Sequence, residues 1–312
     1  MRSHKIQTRA CKDGLRRRAH LPLVAAIIAV LSGCSATTPG MRPTVAQDPK
    51  PVDPRVLELA EKAIDDSRYT DAKKLLERVF LADPKNAEAR RLAAELTSAQ
   101  GDSNKALQQF EALANEPDHA GRISQGIGIA LLLANEPEKA RITLERAVVI
   151  NPRLWRAWNA LGYYFDTKQN WAKSHEAYSR ALEASPRPGA VYNNRGYSLL
   201  LQKRPAEAAA DLSKALTLDP KLDTAKLNLR LALAWQGKYG HALVGAEPKD
   251  LSDALNNVGF VALLREDYKH AESYFLRAMQ HDAGFHDTAS RNLQYLKSLA
   301  EIRAETPANG KK

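Results

Sequence analysis

Small residues recur along most of the chain at a spacing of 34 residues, and the apolar positions between them keep the same register. One series of small residues comprises Ala60, Ala94, Gly128, Gly162 and Gly196. A second comprises Ala72, Ala106, Ala140, Ser174, Ala208 and Ala242, and prolines recur at Pro84, Pro152, Pro186 and Pro220. Several independent series in one register predict a chain built from repeated structural units.

The apolar positions inside a unit follow the periodicity of α-helices. Trp158, Leu161 and Phe165 are spaced i, i+3 and i+7, which places them on one face of a helix. Gly162 and Ser174 are small where this helix and the next must approach closely. Pro186 ends the second helix, because proline removes a backbone donor and clashes with the preceding turn. The pattern therefore predicts one helical hairpin per unit and an all-α fold.

The unit at 155–188 resembles the tetratricopeptide repeat (TPR). It carries the family's characteristic positions as Trp158, Leu161, Gly162, Phe165, Ser174, Tyr178, Ala181 and Pro186. Other units keep the register but depart from the family pattern at Ser124, Arg195 and Arg230. The resemblance implies an all-α TPR superhelical solenoid of about seven helix-turn-helix units with a C-terminal capping helix.

The predicted units are not all equal. Their bounds are about 53–86, 87–120, 121–154, 155–188, 189–222, 223–251 and 252–285. The sixth unit is shortened, because its second helix is cut to Tyr239–Val244 before Glu247-Pro248 breaks the chain. A helix over 286–304 is expected to cap the last open hydrophobic surface, as solenoids require, and residues 305–312 are expected to form a tail.

The N-terminus has the pattern of a lipoprotein signal peptide over residues 1–33. A basic region is followed by an apolar run over 21–31, which is too short for a bilayer core of about 30 Å. Leu31-Ser32-Gly33-Cys34 then resembles a bacterial lipobox, which implies lipidation of Cys34. A plain signal peptide with a coincidental cysteine, or twin-arginine export through Arg16-Arg17, are the alternatives.

Residues 34–52 are predicted to form a lipid-anchored disordered tether, because prolines interrupt both helices and strands. These prolines include Pro39, Pro43, Pro49 and Pro51. The lipoprotein pattern also has an aspartate after the cysteine in proteins held at the inner membrane, and this chain has Ser35 there. For a Gram-negative host, we therefore expect an outer-membrane anchor with the folded part facing the periplasm.

Charge and cysteine content narrow the possible functions. The chain has a net charge of +10, but residues 1–33 hold seven basic residues and one acid, so most of the excess lies in the predicted signal peptide. The remainder lacks the clustered basic face that nucleic-acid binding requires, and we expect no nucleic-acid partner. Cleavage would remove Cys11 and lipidation would consume Cys34, so no thiol would be left for a disulfide or redox site.

The sequence contains no recognisable catalytic or metal-binding motif. His281 and His286 are the closest histidine pair, but no acidic partner lies at a known metal-ligand spacing. Gly126-Ile127-Gly128 lacks the third glycine and the preceding strand of a dinucleotide site. We therefore predict a protein that is not an enzyme and takes no cofactor, metal or small-molecule substrate.

What remains is a groove for a protein partner along the concave side of the solenoid. The family resemblance places groove residues on the first helix of each unit, at Arg156, Asn159, Tyr163, Asp166, Asn193, Asn194, Tyr197, Leu201, Asn228, Leu231, Trp235, Asn256, Asn257 and Phe260. Asparagine amides can donate to and accept from an extended peptide backbone, and tyrosine and phenylalanine add flat apolar area. The alternative is that these asparagines brace neighbouring helices.

One group of TPR proteins is especially similar: the TadD-type lipoproteins of the tight-adherence (Tad/Flp) pilus system. The similarity lies in Trp155–Gly162, Asn193-Asn194-Arg195-Gly196, Asn228–Leu233 and Leu255–Gly259. It implies a pilotin-like helper that binds an outer-membrane secretin or another pilus or secretion component. An adaptor for periplasmic cell-wall hydrolases or a protease is the first alternative. A component of the outer-membrane barrel assembly machine is the second, and seven units count against it.

Overall fold

The computed structural model describes residues 53, 55–114, 116–281 and 287–305. The predicted signal peptide 1–33, the lipidation site Cys34 and the predicted tether 34–52 lie outside the described residues. The same is true of His286 and of residues 306–312 in the predicted tail. Those predictions therefore rest on the sequence alone.

The described residues form fifteen α-helices and no strand. The helices are α1 (Arg55–Asp65), α2 (Tyr69–Ala82), α3 (Ala87–Ala99), α4 (Ser103–Glu111), α5 (Ala120–Leu133), α6 (Pro137–Ile150), α7 (Trp155–Thr167), α8 (Trp171–Ala184), α9 (Gly189–Leu201), α10 (Pro205–Leu218), α11 (Asp223–Trp235), α12 (Tyr239–Ala242), α13 (Leu251–Leu264), α14 (Tyr268–His281) and α15 (Asp287–Glu305). Short 3₁₀ turns at Pro117–His119 and Pro248–Asp250 precede α5 and α13. The all-α prediction is confirmed.

Consecutive helices pack as antiparallel pairs, and the pairs stack along the chain. The first helices of neighbouring units pack against each other, and each second helix packs against the first helix of the next unit. Buried apolar clusters continue from unit to unit, so each hairpin completes the core of its neighbour. This arrangement confirms the predicted TPR solenoid.

The small residues of the 34-residue series lie where paired helices cross. A Cβ added at Gly162 would lie 2.6 Å from the Tyr178 ring, and one at Gly196 would lie 2.7 Å from Leu212. Ser174, in the second series, is fully buried. Glycine is therefore needed in these first helices because the partner helix presents a large side chain at the crossing.

A second periodic feature lies in the turn between the two helices of each unit. The turn residue has a positive φ at Ser67, Gly101, Asn135, Gln169, Lys203 and Gly237, which are also 34 residues apart. Glu266 takes this role in the last unit. Residue type varies here from glycine to lysine, so the sequence pattern did not indicate this shared left-handed conformation.

The sixth unit is more strongly shortened than predicted. Its second helix, α12, ends at Ala242 instead of Val244 and has four residues. Arg230 occupies the position where the family has a small residue, and its guanidinium donates to the Gly245 carbonyl at 3.2 Å. Tyr239 is buried in the cluster formed by α13, α14 and α15, so the short helix still closes the core.

The C-terminal helix α15 covers the last hairpin. Its buried residues Ala289, Leu293 and Leu296 pack in the same cluster as Leu255 and Phe275. None of the described helices is long and apolar enough to span a membrane.

Candidate protein-binding groove

Among the cavities that open on the side lined by the first helices in the described part of the chain, two are relevant to the predicted groove. The first, which we call the tyrosine groove, has a volume of about 440 Å³ and is bounded by α5, α7, α8 and α9. The second, the charged cavity, has a volume of about 740 Å³ and is lined by α1, α3, α5 and α7 and the turn before α9. Helices three units apart meet here, so this is the concave side of the solenoid.

The tyrosine groove presents apolar and aromatic surface to solvent. Tyr163 is 54% exposed and Tyr197 is 45% exposed, and both line the groove together with the exposed Leu133 and Leu201. Such side chains are normally covered in a folded core, so a contiguous group on a concave surface indicates a binding site. Six of the predicted groove residues line this cavity: Asn159, Tyr163, Asp166, Asn194, Tyr197 and Leu201.

The predicted asparagines form a ladder that joins three neighbouring units. The Asn228 amide donates to Asn193 at 3.0 Å, Asn193 donates to Asn194 at 3.1 Å, and Asn194 donates to Asn159 at 3.1 Å. The ladder therefore braces α7, α9 and α11, as the alternative interpretation held. Its last member, Asn159, keeps its amide NH₂ without a partner among the described residues and lines the tyrosine groove.

The seventh unit uses its predicted groove positions for packing. Asn256 is buried and accepts a 2.9 Å hydrogen bond from Asn292 of α15. Phe260 and Trp235 are partly buried against the C-terminal cluster, and Asn257 is half-buried beside them in sequence. Asn256 therefore helps to hold the capping helix α15 in place.

Asp166 is a buried structural acceptor. It is only 6% exposed, and it accepts hydrogen bonds from Ser174, from Ser198 at 2.6 Å and from Tyr178 at 2.8 Å. Burial raises the pKa of the Asp166 carboxyl above its ordinary value, although the three donors oppose this change. Asp166 therefore ties α7 to α8 and to α9, and it lines the tyrosine groove with a carboxylate that already accepts three hydrogen bonds.

Arg156 lies in the charged cavity and is already engaged. Its guanidinium forms ion pairs with Glu61, at 3.3 Å, and with Asp65, both on α1. Arg187, in the turn before α9, pairs with Asp66 at 3.1 Å and with Asp65 at 3.7 Å. The sequence did not indicate these contacts, because they join residues of the first unit to residues of the fourth.

Arg91 is the centre of a buried charge network in the same region. It is 1% exposed, and it pairs with Glu88 at 2.6 Å and with Glu95. Burial opposes its charge, but Glu95 and Glu88 raise the pKa of the Arg91 guanidinium above its ordinary value. The i−3 and i+4 acids around Arg91 were the only available sequence signal, and their helical spacing is also common on solvated surfaces.

The departure at Arg195 has a structural explanation. Its guanidinium forms a two-point ion pair with Asp211 of the paired helix α10, at 2.6 and 2.8 Å. It also lies over the Tyr192 ring at 5.4 Å. An apolar contact between the two helices is thus replaced by a half-buried ion pair with a matching geometry.

The described residues contain no group of three or more histidines, cysteines, aspartates or glutamates placed to bind a metal ion. His281 is exposed at the end of α14. The concave side therefore offers aromatic surface, one unpaired amide and arginines.

Comparison with known proteins defines the class to which this architecture belongs. A family model described as tetratricopeptide repeat matches residues 159–223, and a second model with this description matches residues 63–120. In a crystal structure of the APC/C heterotetramer Cut9–Hcn1, one chain superposes with a TM-score of 0.58 at 15% identity. That match covers 80% of this chain and 50% of the other. The protein is a TPR protein.

A relative of defined role lies within this class. The type IV pilus assembly protein PilF of Pseudomonas aeruginosa is 31% identical over 173 residues, which cover 54% of this chain and 68% of PilF. The chain belongs to the same family as PilF. A crystal structure of Pseudomonas aeruginosa PilF superposes with a TM-score of 0.48 at 18% identity and covers 70% of this chain and 97% of that one.

Proposed function

We propose that this protein is a non-catalytic scaffold that binds a protein partner during pilus assembly. In this proposal it is anchored in the outer membrane through lipidated Cys34 and helps assemble or localise the secretin complex of a Tad/Flp pilus. The homology with the type IV pilus assembly protein PilF supports a role in pilus assembly. The lipobox and the TadD-like segments support the anchor and the particular pilus system.

The observation that carries the proposed binding role is the tyrosine groove. Tyr163 and Tyr197 expose aromatic area to solvent on a concave surface, which is typical of a binding site. The free NH₂ of Asn159 can donate to a backbone carbonyl of a bound segment. The groove is therefore suited to an extended segment that places an apolar side chain between the tyrosines.

Affinity capture from detergent-solubilised membranes tests the pathway and the anchor together. The bait is the full chain, and the matched control is Cys34→Ser, which removes the only predicted lipidation site. We expect a secretin to be recovered with the wild-type protein and lost with Cys34→Ser. Recovery of cell-wall hydrolases or a protease without pilus components would instead favour the adaptor function.

A second capture tests whether the tyrosine groove is the binding surface. The double variant Tyr163→Ala and Tyr197→Ala removes the two exposed rings, and Tyr295→Ala removes an equally exposed ring from α15. We expect partner recovery to fall strongly with the double variant and to persist with Tyr295→Ala. Equal recovery from all three proteins would exclude the groove as the binding surface.

A further inference from the structure

The acidic end of α1 lies against two arginines that belong to the fourth unit. Glu61 and Asp65 pair with Arg156, and Asp65 and Asp66 pair with Arg187. These partners are separated by 91 to 122 residues in sequence. We call these four ion pairs the α1 clasp, because they join the first unit to a unit beyond its neighbour.

The α1 clasp is built from groups that solvent can still reach. Arg187 is 47% exposed and Asp66 is 37% exposed, while the Arg156 and Asp65 side chains are about half as exposed. Partly exposed ion pairs of this kind are individually weak and are screened by salt. The contact between α1 and these arginines is therefore one that a competing anionic group can displace.

The arginines themselves are held independently of α1. Arg156 stacks on the Trp155 ring at 4.8 Å within α7, and Arg187 lies in the short turn between α8 and α9. Arg153, on the same wall of the charged cavity, has no guanidinium partner among the described residues. If α1 moved away, the wall would present several planar guanidinium groups, whose forked donors match carboxylates.

We propose that Arg156 and Arg187 form a binding site for an acidic segment of the protein partner, and that the α1 clasp occupies this site in the unbound protein. The inference rests on the proposed scaffold role and adds a second subsite to it. The kind of ligand is given by the carboxylates that contact the arginines now, those of Glu61 and Asp65 on α1 and of Asp66 in the turn that follows it.

The position of the site fits a ligand that also uses the tyrosine groove. Arg156 and Asn159 lie one turn apart on α7, and they line the charged cavity and the tyrosine groove respectively. An acidic segment on the arginines would therefore continue directly towards Tyr163. The partner class that fits both surfaces is a polypeptide with acidic residues next to an apolar or aromatic residue.

Competition makes the proposal testable. The triple variant Glu61→Gln, Asp65→Asn and Asp66→Asn removes the anionic groups of the clasp with little change in shape. When the clasp occupies the site, the apparent affinity for an external ligand falls in proportion to the fraction of molecules in which the site is free. We therefore expect the triple variant to bind the acidic ligand about tenfold more tightly than the wild type. The probe is a fluorescent glutamate-rich peptide ending in tyrosine, measured by anisotropy with the full chain.

The arginines are tested in the same background. Adding Arg156→Gln and Arg187→Gln to the triple variant is expected to abolish the gain. The matched control adds Arg146→Gln and Arg180→Gln instead, since these are exposed arginines of the outer helices α6 and α8, and it is expected to keep the gain. A triple variant without tighter binding, or a gain that survives loss of Arg156 and Arg187, overturns the proposal.

Circular dichroism and the membrane capture separate misfolding and loss of the pilus role from loss of the acidic subsite. Helical circular dichroism identifies a variant that fails to fold, and in that case the single variant Asp65→Asn replaces the triple, with a smaller gain expected. Failure of the Cys34-dependent membrane capture would remove the pilus assignment but leave the peptide result standing. Loss of the peptide effect alone would remove the acidic subsite but leave the scaffold role.

Discussion

At the scale of single residues, the helix crossings impose the strictest requirements. Tyr178 fills the crossing between α7 and α8, and its hydroxyl is fixed by Asp166. The ring therefore cannot withdraw from a new atom at Gly162 without breaking a buried hydrogen bond. The small residues recur in the sequence because each of these helix crossings requires a close contact.

We expect Gly162→Ala to destabilise the protein by about 1–3 kcal/mol, because its Cβ would overlap the Tyr178 ring. Gly240→Ala is the matched control: the same methyl group meets nothing within 4 Å there. Removing glycine from helix α12 should leave stability unchanged or raise it by up to about 1 kcal/mol. Denaturant unfolding of both variants measures the difference, and equal stabilities would contradict the assigned register.

The buried carboxyl of Asp166 should give the protein a measurable pH dependence. Burial raises its folded pKa above the ordinary value of 3.8. Between these two pKa values the folded state binds more protons than the unfolded state, so this group makes the protein more stable as pH falls. Paired acids such as Glu88, with a lowered pKa, act in the opposite direction.

The variant Asp166→Asn isolates this contribution. The free energy of unfolding of the wild type, minus that of Asp166→Asn, should increase as pH is lowered from neutral towards 4. Urea unfolding at several pH values measures the free energy of unfolding of both proteins. The contributions of the other carboxylates to the pH dependence cancel in the difference. A difference that is constant or decreases on acidification would show that the folded pKa is not raised.

At the scale of elements, periodicity predicts the helices well because each carries a strong apolar stripe. The ends of the helices are less visible in the sequence. The intra-unit turn requires a left-handed residue, yet Gln169 and Lys203 occupy it as readily as Gly101. Helix α12 is two residues shorter than predicted, and the chain that follows it turns at Gly245, which has φ 70° and accepts a hydrogen bond from Arg230.

The left-handed turns predict a simple stabilising change. Gln169 has φ 55°, a conformation that costs an L-residue with a side chain about 1–2 kcal/mol relative to the right-handed region. Gln169→Gly should remove much of this cost and raise the melting temperature. Glu176→Gly, at an exposed position inside α8, should lower it, because glycine in a helix interior costs about 1 kcal/mol. Changes of the same sign in both variants would contradict the turn geometry.

At the scale of the whole molecule, the curvature of the stack creates contacts between distant units that the sequence did not reveal. The repeat places Tyr163 and Tyr197 on one side, and family resemblance was sufficient to predict that side. It was not sufficient to distinguish exposed Tyr163 from buried Asp166, because both lie on the same helix and their burial depends on α8 and α9. Contacts between the first and fourth units depend on the pitch of the solenoid, which no local pattern encodes.

The α1 clasp is the main consequence of this curvature. Among the described residues, helix α1 packs against one neighbouring unit, and an end element of a stack opens more readily than a central one. The ion pairs with Arg156 and Arg187 give α1 a second set of contacts. Its local opening free energy should therefore depend on residues almost a hundred positions away, and this dependence can be measured directly.

Hydrogen exchange of the full chain reads out that dependence. We expect the double variant Arg156→Gln and Arg187→Gln to increase the exchange rate of α1 amides severalfold, because loss of the clasp favours local opening. Amides of α13 and α14 should be unaffected, since they lie at the opposite end of the stack. The control variant Arg146→Gln and Arg180→Gln, which replaces two exposed arginines, should leave the exchange rate of α1 amides unchanged.

Moderate salt should accelerate exchange of α1 amides in the wild type but not in the double variant, because only the wild type has the ion pairs that salt can screen. Unchanged protection of α1 in the double variant would mean that the first unit is held by its apolar contacts with α2 and α3 alone.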